Sequence, residues 1–294
     1  MADGPTTPGG GGFARVPSGG LVLGAIASVQ FGSSLAVTLF ERIGSSGTVL
    51  LRLASAAIVL GVLWRPRLRD RGRRELLLIG AFGLVLAGMN LSFYAAAGRI
   101  PLGIAVAVEF LGPLAVAVAG SRRRLDFLWI GLAGAGVLAL TRGGSDHLDG
   151  IGLALALLAG CMWAAYIVLN ARLGRSTAGG SALALSMCVA AVVALPLGVA
   201  SAGGHLLDVE SLAVGAAVGL LSSAIPYSLE LEALRRIEPA VFGVLMSVEP
   251  AFAALAGFLV LGQSLGAQAL LGIALVVAAS VGVARRGRAV PVPV

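Results

Sequence analysis

The sequence predicts an all-α integral membrane protein that crosses the bilayer ten times. Three observations lead to this prediction. Of the 294 residues, 58% are hydrophobic and only 12% are charged, whereas a soluble domain carries about 25% charged residues. Ten apolar runs follow one another, each close to the length of about 20 residues that a helix needs to cross the hydrocarbon core. Arginines are concentrated in every second connecting loop, as in a chain that alternates between two sides of a membrane.

The ten predicted helices lie between two tails, residues 1–17 and residues 286–294. Because lipid offers no partner to backbone N–H and C=O groups, an apolar run of this length must be helical. The first run is longer than the apolar core of a signal peptide, so we expect it to be retained as a helix. The predicted spans are residues 18–40, 47–64, 75–97, 101–119, 125–141, 149–170, 180–200, 211–232, 239–261 and 266–284.

The distribution of arginine predicts the orientation of the chain. With both termini in the cytoplasm, only Arg42, Arg99 and Arg142 fall in outer loops, and Arg52 falls inside a span. The other 17 of the 21 basic residues then lie on the cytoplasmic side, as the positive-inside rule expects. This predicts a multi-pass membrane protein. All 21 basic residues are Arg, a hint of a GC-rich bacterium, so the expected location is a bacterial inner membrane. The net charge of +7 therefore indicates contact with anionic lipid headgroups rather than with nucleic acid.

The two halves of the chain resemble each other. Residues 18–141 and 149–285 match at an offset of 137, which aligns Arg99 with Arg236, Pro113 with Pro250 and Gly120 with Gly257. Each half holds five predicted helices. Because five is an odd number, the second half enters the membrane from the opposite side. Inverted repeats of this kind are typical of alternating-access transporters.

Two acidic residues lie near the centre of apolar spans, Glu109 in the fourth and Glu249 in the ninth. A charge at that depth costs about 2.5–3.5 kcal/mol on insertion scales, so each must face a cavity or a partner. Pro113 and Pro250 lie close by and lack a backbone N–H, which opens the helix beside each acid. Two interpretations remain open: the acids exchange protons or bind substrate, or they hold helices together through hydrogen bonds.

Uncharged polar residues form stripes at helical spacing. Asn90 and Tyr94 lie one turn apart in the third span, and Tyr227 lies in the eighth. Such stripes could line one cavity that binds a small zwitterion, or they could form hydrogen bonds between helices. The remaining stripes join Gln30 with Ser34, Trp163 with Tyr166 and Asn170, and Ser223 with Tyr227 and Glu230.

Charged residues nearer the span ends also allow several roles. Arg52 could pair with Glu41, line the outer mouth of a cavity, or extend to the lipid headgroups. Glu230 and Glu232 stand beside Arg235 and Arg236, which favours a surface ion-pair cluster.

No metal or cofactor is predicted, because Cys161 and Cys188 have no ligand spacing, His147 and His205 fit loop positions, and no phosphate-binding loop or nucleophile elbow is present. The sequence therefore gives no sign of an enzyme.

Four segments carry a resemblance to a known family. Residues 88–94 (GMNLSFY), 100–116 (IPLGIAVAVEFLGPLAV), 225–230 (IPYSLE) and 242–255 (FGVLMSVEPAFAAL) resemble the threonine/homoserine exporter group. That group belongs to the EamA-type branch of the drug/metabolite transporter superfamily. The resemblance extends over nearly all of residues 18–285.

The resemblance implies ten helices in two EamA repeats and export of small metabolites, with protons as the driving partner. It also implies a central substrate-binding cavity formed by Asn90, Tyr94, Glu109, Tyr227 and Glu249. One departure is Gln263, which follows Leu261 and Gly262 where EamA repeats commonly carry Glu; we expect little effect on mechanism. Two alternatives stay open: a carrier of the same fold for drugs, purines or aromatic amino acids, and a membrane scaffold without transport.

Overall fold

The structure is a computed structural model that describes residues 16–67, 71–119, 125–142, 149–176, 181–234, 236, 242 and 245–284. Most of both predicted tails lies outside these residues. The described part contains helices and their connections and no strand, so the predicted all-α architecture is confirmed. The helices are α1 (Ser18–Thr38), α2 (Phe40–Trp64), α3 (Arg73–Ala97), α4 (Leu102–Glu109), α5 (Leu111–Ala119), α6 (Leu125–Arg142), α7 (Gly150–Ser176), α8 (Ser181–Ala202), α9 (Val209–Gly219), α10 (Ile225–Leu234), α11 (Glu249–Leu261) and α12 (Ala267–Ala284).

Every predicted apolar run overlaps at least one of these helices. Within the described residues, five helices are long and apolar enough to cross a membrane: Ser18–Thr38, Phe40–Trp64, Arg73–Ala97, Gly150–Asn170 and Ser181–Leu207. Five shorter apolar helices accompany them: Leu102–Val116, Gly131–Leu140, Val209–Ala224, Glu249–Leu261 and Ala267–Gly282. Large apolar side chains of the long helices, such as Ile58, Val62 and Val192, are exposed in the isolated chain. Contact with lipid would cover them.

Three helices depart from the regular form that hydropathy predicts. α2 begins at Phe40, before the predicted apolar run, and bends at Gly44, whose φ of 69° is unfavourable for a residue with a side chain. The fourth run breaks at Phe110, because Pro113 offers no N–H to the Glu109 carbonyl. A π-helical segment, Leu220–Ala224, joins α9 to α10. Apolar composition marks the part of a chain that lies in lipid, but it does not show these changes in helical geometry.

Helices of the first half pack mainly against helices of the second half. The pairs are α1 with α10 and α11, α2 with α8 and α9, α3 with α7 and α8, α4 with α7 and α11, α5 with α7, and α6 with α12. The core thus lies along the interface between the halves rather than inside either one.

Close approach at this interface depends on glycine. The sequence marks Gly215 and Gly219 as one small-residue motif, and both lie against α2. A Cβ atom on Gly215 would stand 2.6 Å from the Leu51 Cβ, and one on Gly219 would stand 2.6 Å from the Ser55 Cβ. Small residues let helix backbones approach in this way where no hydrophobic driving force acts between helices.

The bundle has two ends that carry different contacts. At the Ser18 end, where α1 begins, Arg236 donates to the Val16 carbonyl at 3.3 Å and Arg71 donates to the Ser181 hydroxyl at 2.6 Å. At the opposite end, which we call the Arg42 end, ion pairs join Arg42 to Asp208 at 3.0 Å and Arg99 to Asp149 at 2.8 Å. Arg42 also pairs with Glu210.

Gln263 has a structural role at the Arg42 end. Its side-chain carbonyl Oε1 accepts a hydrogen bond from the Leu102 N–H at 3.0 Å. That N–H belongs to the first turn of α4, where no carbonyl of the same helix can serve it. An uncharged amide from the end of α11 therefore caps α4.

Candidate functional site

A cavity of about 490 Å³ lies between the two halves. Its volume falls within the range of small-molecule sites, about 300–1,000 Å³. Its wall is mostly apolar and includes a limited number of polar and charged side chains. The polar and charged lining residues are Gln30, Ser33, Arg52, Asn90, Glu109, Trp163, Tyr166, Asn170, Ser222, Glu230, Ser247, Glu249 and Ser280.

The cavity extends from mid-bundle toward the Ser18 end. Its lining continues past Glu109 to Leu114 and past Ser222 to Glu230, and it includes Asn170, which is exposed to solvent. Among the described residues of α11 and α12, the lining comes only from the ends nearest Ser18. The described lining of the cavity is therefore directed toward the Ser18 end.

Aromatic packing closes the cavity toward the Arg42 end. Tyr94 is 0% exposed, and its ring packs edge-on against Phe40 at 5.8 Å and against Phe93 at 5.5 Å between centroids. Phe93 itself lines the cavity. These rings lie between the cavity and the ion pairs of the Arg42 end.

Two buried carboxylates face the cavity beside opened helix ends. Glu109 ends α4 and is 8% exposed, and Glu249 begins α11 and is 6% exposed. Gln30 of α1 donates from Nε2 to Glu249 Oε1 at 2.8 Å. Both predicted acids thus lie on the wall of one cavity, where each can meet a solute that enters it.

Arg52 of α2 also lies on the wall. Its Nη1 donates to the Tyr94 hydroxyl at 2.7 Å, and its Nη2 lies 3.4 Å from the Ser222 carbonyl. The guanidinium carbon stands 5.3 Å from the centroid of the Tyr94 ring, within the range of a cation–π contact. Arg52 is therefore directed into the bundle and held there, so neither the Glu41 pair nor extension to the headgroups describes it.

Buried polar atoms without a hydrogen-bond partner cluster at this cavity. Among the described residues, five such atoms belong to lining residues, whereas Ser211 Oγ lies outside the cavity. The five are Gln30 Oε1, Arg52 Nε, Ser222 Oγ, Glu249 Oε2 and Ser280 Oγ. A buried polar group left unpaired costs about 1–3 kcal/mol, so such groups are uncommon and call for an explanation. A polar solute or water in the cavity would supply the missing partners.

Not all of the five predicted site residues line the cavity in the described part of the structure. Asn90, Glu109 and Glu249 line the cavity. Tyr94 lies one layer behind the wall and contacts Arg52. Tyr227 lies in α10, but its side chain is outside the described part of the chain.

From the sequence, lining a cavity mouth is only one of three roles open to Arg52, a surface ion pair is favoured for Glu230, and Ser222 is not a predicted site residue. The stripe that joins Glu230 to Ser223 and Tyr227 was the available signal for that acid, and the neighbouring arginines favoured a surface position instead. Arg52 is the one basic residue inside a predicted span, which marks it as unusual without showing its direction. The sequence signal for Ser222 is Pro226, which offers no N–H to the Ser222 carbonyl four residues earlier.

Known proteins resemble this chain in sequence and in fold. The sequence model of the EamA-like transporter family matches residues 150–285. The threonine/homoserine exporter RhtA of Salmonella typhimurium (strain LT2) and that of Escherichia coli (strain K12) are each 44% identical to this chain over 265 residues, 89% of both chains. A solved crystal structure covers 90% of this chain and 97% of its own, with a TM-score of 0.60 at 16% identity, and shows a likeness of fold alone.

The relatives are named exporters rather than enzymes, and the apolar helices described above suit a multi-pass membrane protein. With 44% identity over 89% of each chain, the protein belongs to the EamA-like transporter family.

Proposed function

We propose that this protein is a secondary transporter of the bacterial inner membrane that exports small amino acids such as threonine and homoserine. The observation that carries the proposal is the cavity between the halves, whose wall holds Glu109, Glu249 and Arg52. A site with both signs of charge suits a zwitterion. The names of the relatives, threonine/homoserine exporters, favour these substrates.

We further propose ten spans arranged as two inverted repeats, residues 18–141 and 149–285. The pattern of helix packing between the halves supports this arrangement. When the halves are exchanged, α1 corresponds to α7, α3 to α10, α2 to α8 and α6 to α12. The contact of α1 with α10 then becomes that of α7 with α3, and the pairs α2 with α8 and α6 with α12 map onto themselves. The family match to residues 150–285 agrees with one repeat unit.

The same symmetry suggests a transport cycle by alternating access. If the Ser18 end faces the cytoplasm, as the arginine distribution predicts, the described conformation is open inward and loads its substrate there. Movement of the halves about the cavity would then open the Arg42 end. Both chain termini would lie in the cytoplasm, and anionic lipid headgroups would contact the arginine-rich loops.

We propose that protons drive export and that Glu109 and Glu249 carry the coupling or bind the substrate ammonium group. Carboxylates that face a cavity inside a membrane are typical of proton relays in transporters. Asn90 would contact the substrate directly, Tyr94 would act through Arg52, and Tyr227 completes the proposed set by its position in the family motif.

Proteoliposomes test this function directly. Vesicles that contain the purified protein and labelled threonine are given a pH gradient, and efflux is measured. We expect gradient-dependent efflux that Glu109→Gln and Glu249→Gln each reduce by at least tenfold. Glu41→Gln is the matched control, because Glu41 is an exposed acid at the Arg42 end. Wild-type efflux that ignores the gradient, or efflux unchanged in both variants, would refute the proposed coupling.

One observation favours a second substrate class. Phe110 and Trp163 line the cavity with ring centroids 5.4 Å apart, and this surface would also suit an aromatic amino acid. Competition between labelled threonine and a panel of unlabelled amino acids separates the two. Stronger competition by phenylalanine than by threonine or homoserine would favour the aromatic substrate.

A further inference from the structure

We propose that Arg52 forms a carboxylate-binding subsite at the closed end of the cavity and makes the protein select solutes that carry an α-carboxylate. The proposal concerns the same cavity and rests on the proposed function for its ligand class, the amino acids. It assigns a role to a residue that the family motif does not include among the site residues.

The balance of charge at the wall supports this role. Three carboxylates line the cavity, those of Glu109, Glu230 and Glu249, whereas Arg52 is the single arginine among the described lining residues. Arg52 forms no ion pair with a described carboxylate. A guanidinium in the membrane interior without a carboxylate partner is costly, and a substrate carboxylate would provide that partner.

The hydrogen bonds of Arg52 leave donors available. Arginine carries five N–H donors. One serves the Tyr94 hydroxyl, one points to the Ser222 carbonyl, and Nε–H is enclosed without a partner. The remaining Nη hydrogens can bind a carboxylate, for which the planar guanidinium is well suited.

The surroundings hold the guanidinium in position. Tyr94 is fully buried and contacts Arg52 both through its hydroxyl and through its ring face. Ser222 belongs to the π-helical segment, and its carbonyl is available to Arg52 there. A group fixed from two sides loses little freedom on binding, which favours affinity.

The subsite predicts that amino acids bind more tightly than simple amines. The carboxylates of the wall could attract any small ammonium compound that enters the cavity. Arg52 would repel an amine and attract the carboxylate of an amino acid, so a decarboxylated analogue would bind poorly. Selection of this kind depends on a repulsive element as well as on an attractive one.

Ligand-induced thermal stabilisation of the purified full-length protein tests the proposal, because a ligand of the folded state raises the unfolding temperature by mass action. Two matched pairs serve as probes: threonine with 1-amino-2-propanol, and phenylalanine with phenethylamine. Each amine lacks only the carboxylate of its partner. We expect the wild type to bind at least one amino acid about 10- to 100-fold more tightly than the matching amine, as expected for charge-assisted hydrogen bonds.

Arg52→Gln should remove this preference, and Arg52→Lys should retain part of it. Tyr94→Phe should weaken it about fivefold, since it removes one hydrogen bond that positions the guanidinium; this variant also decides the matter if Arg52→Gln fails to fold. Arg99→Gln is the control, because it removes an arginine at the Arg42 end, outside the cavity, and should keep the preference.

The outcomes separate this proposal from the proposed function. An Arg52-dependent preference seen for phenylalanine, without binding of threonine, would overturn the proposed substrate and support the subsite. An equal affinity of the wild type for acid and amine, no binding of either amino acid, or an undiminished preference in a folded Arg52→Gln or Tyr94→Phe variant would overturn the subsite.

Discussion

Glu249 is satisfied on only one of its two oxygens. Oε1 accepts from Gln30, while Oε2 is buried without a partner. The Gln30 bond connects α1 to α11, so it joins the halves as well as orienting the acid. Because an unpaired buried oxygen is unfavourable, the site is arranged to receive a donor, and an ammonium group or a proton would serve.

At the Arg42 end, the pH dependence of a single residue gives a prediction. Arg42 donates a hydrogen bond that holds the pKa of Asp208 below its ordinary value of 3.8, and a contact with His205 adds to this. A carboxyl group with a lowered folded-state pKa stabilises the fold above its unfolded-state pKa, and the contribution disappears as pH falls through the folded-state value. Wild type should therefore melt at a higher temperature than Asp208→Asn at neutral pH, and the gap should shrink as pH falls below the ordinary Asp value of 3.8.

Thermal melting of both proteins across this pH range checks the prediction. Glu41→Gln serves as the comparison, since Glu41 forms no ion pair with a described residue and should show no such gap. A gap as large well below pH 3.8 as at pH 8 would contradict the prediction.

Individual residues differ in how far the sequence predicts their place. Glu109 and Glu249 are conspicuous because an acid at mid-span must face a cavity or a partner. The direction of Arg52 could not be predicted, because it depends on Tyr94 and on Ser222, which is 170 residues away. The arginine neighbours of Glu230 favour an ion pair at the surface, but the residue lines the cavity. Local sequence shows an unusual residue, whereas its surroundings come from the fold.

At the scale of elements, the π-helical segment turns two backbone carbonyls toward neighbouring helices. Ser28 of α1 donates to the Leu221 carbonyl at 2.6 Å, and Arg52 of α2 approaches the Ser222 carbonyl. Segments of this type are rare and occur often at functional sites. Here the segment connects α1 and α2 to the wall of the cavity.

Removal of the Ser28 hydroxyl should weaken that connection. Ser28→Ala leaves the Leu221 carbonyl without its donor, and we expect a loss of about 0.6 kcal/mol in unfolding free energy, the average for such bonds between membrane helices. Denaturant titration of the purified protein measures it. Ser34→Ala is the control, because its hydroxyl bonds to the Phe31 carbonyl of the same helix. Equal losses in both variants would contradict a specific role for the π-helical segment.

The contact between α7 and the break after α4 makes a second element-scale prediction. A Cβ atom on Gly160 would stand 2.7 Å from the Glu109 carbonyl oxygen, which is backbone and cannot rotate away. Gly160→Ala should therefore separate the helices, cost about 1–3 kcal/mol and displace Glu109, which reduces threonine efflux. Gly61→Ala, whose Cβ would meet nothing within 4 Å, should stabilise α2 by about 0.5–1 kcal/mol. Equal stability of the two variants would refute this account.

Hydropathy predicts the helices well and their interruptions less well. Apolar composition predicts where the chain lies in lipid, and proline positions predict the opening at Phe110. The π-helical segment contains no proline or charge, but Pro226 follows it and offers no N–H to the Ser222 carbonyl four residues earlier. Its partners on α1 and α2, in contrast, cannot be identified from local sequence. The packing of Gly215 against Leu51 follows a motif visible in sequence, but the sequence does not identify the partner helix.

For the whole molecule, packing between halves implies that neither half folds into a stable unit alone. α2 packs against α8, α3 against α7, and α6 against α12, so a separated half loses most of its interhelical contacts. The connection between Arg142 and Asp149 joins two halves that are held together mainly by these contacts. A covalent link at this point is therefore dispensable once both halves are present in the membrane.

Co-expression of two fragments cut between Arg142 and Asp149 should give a complex that copurifies on a tag carried by the first fragment and restores threonine efflux. Gly136→Leu should weaken copurification, because a Cβ atom there would stand 2.9 Å from the Gly272 carbonyl oxygen of α12, whereas at Gly131 it would meet nothing within 4 Å. Gly131→Leu is therefore the control and should leave the complex intact. A single fragment that purifies as a stable monomer and is stabilised by threonine would contradict a core shared between the halves.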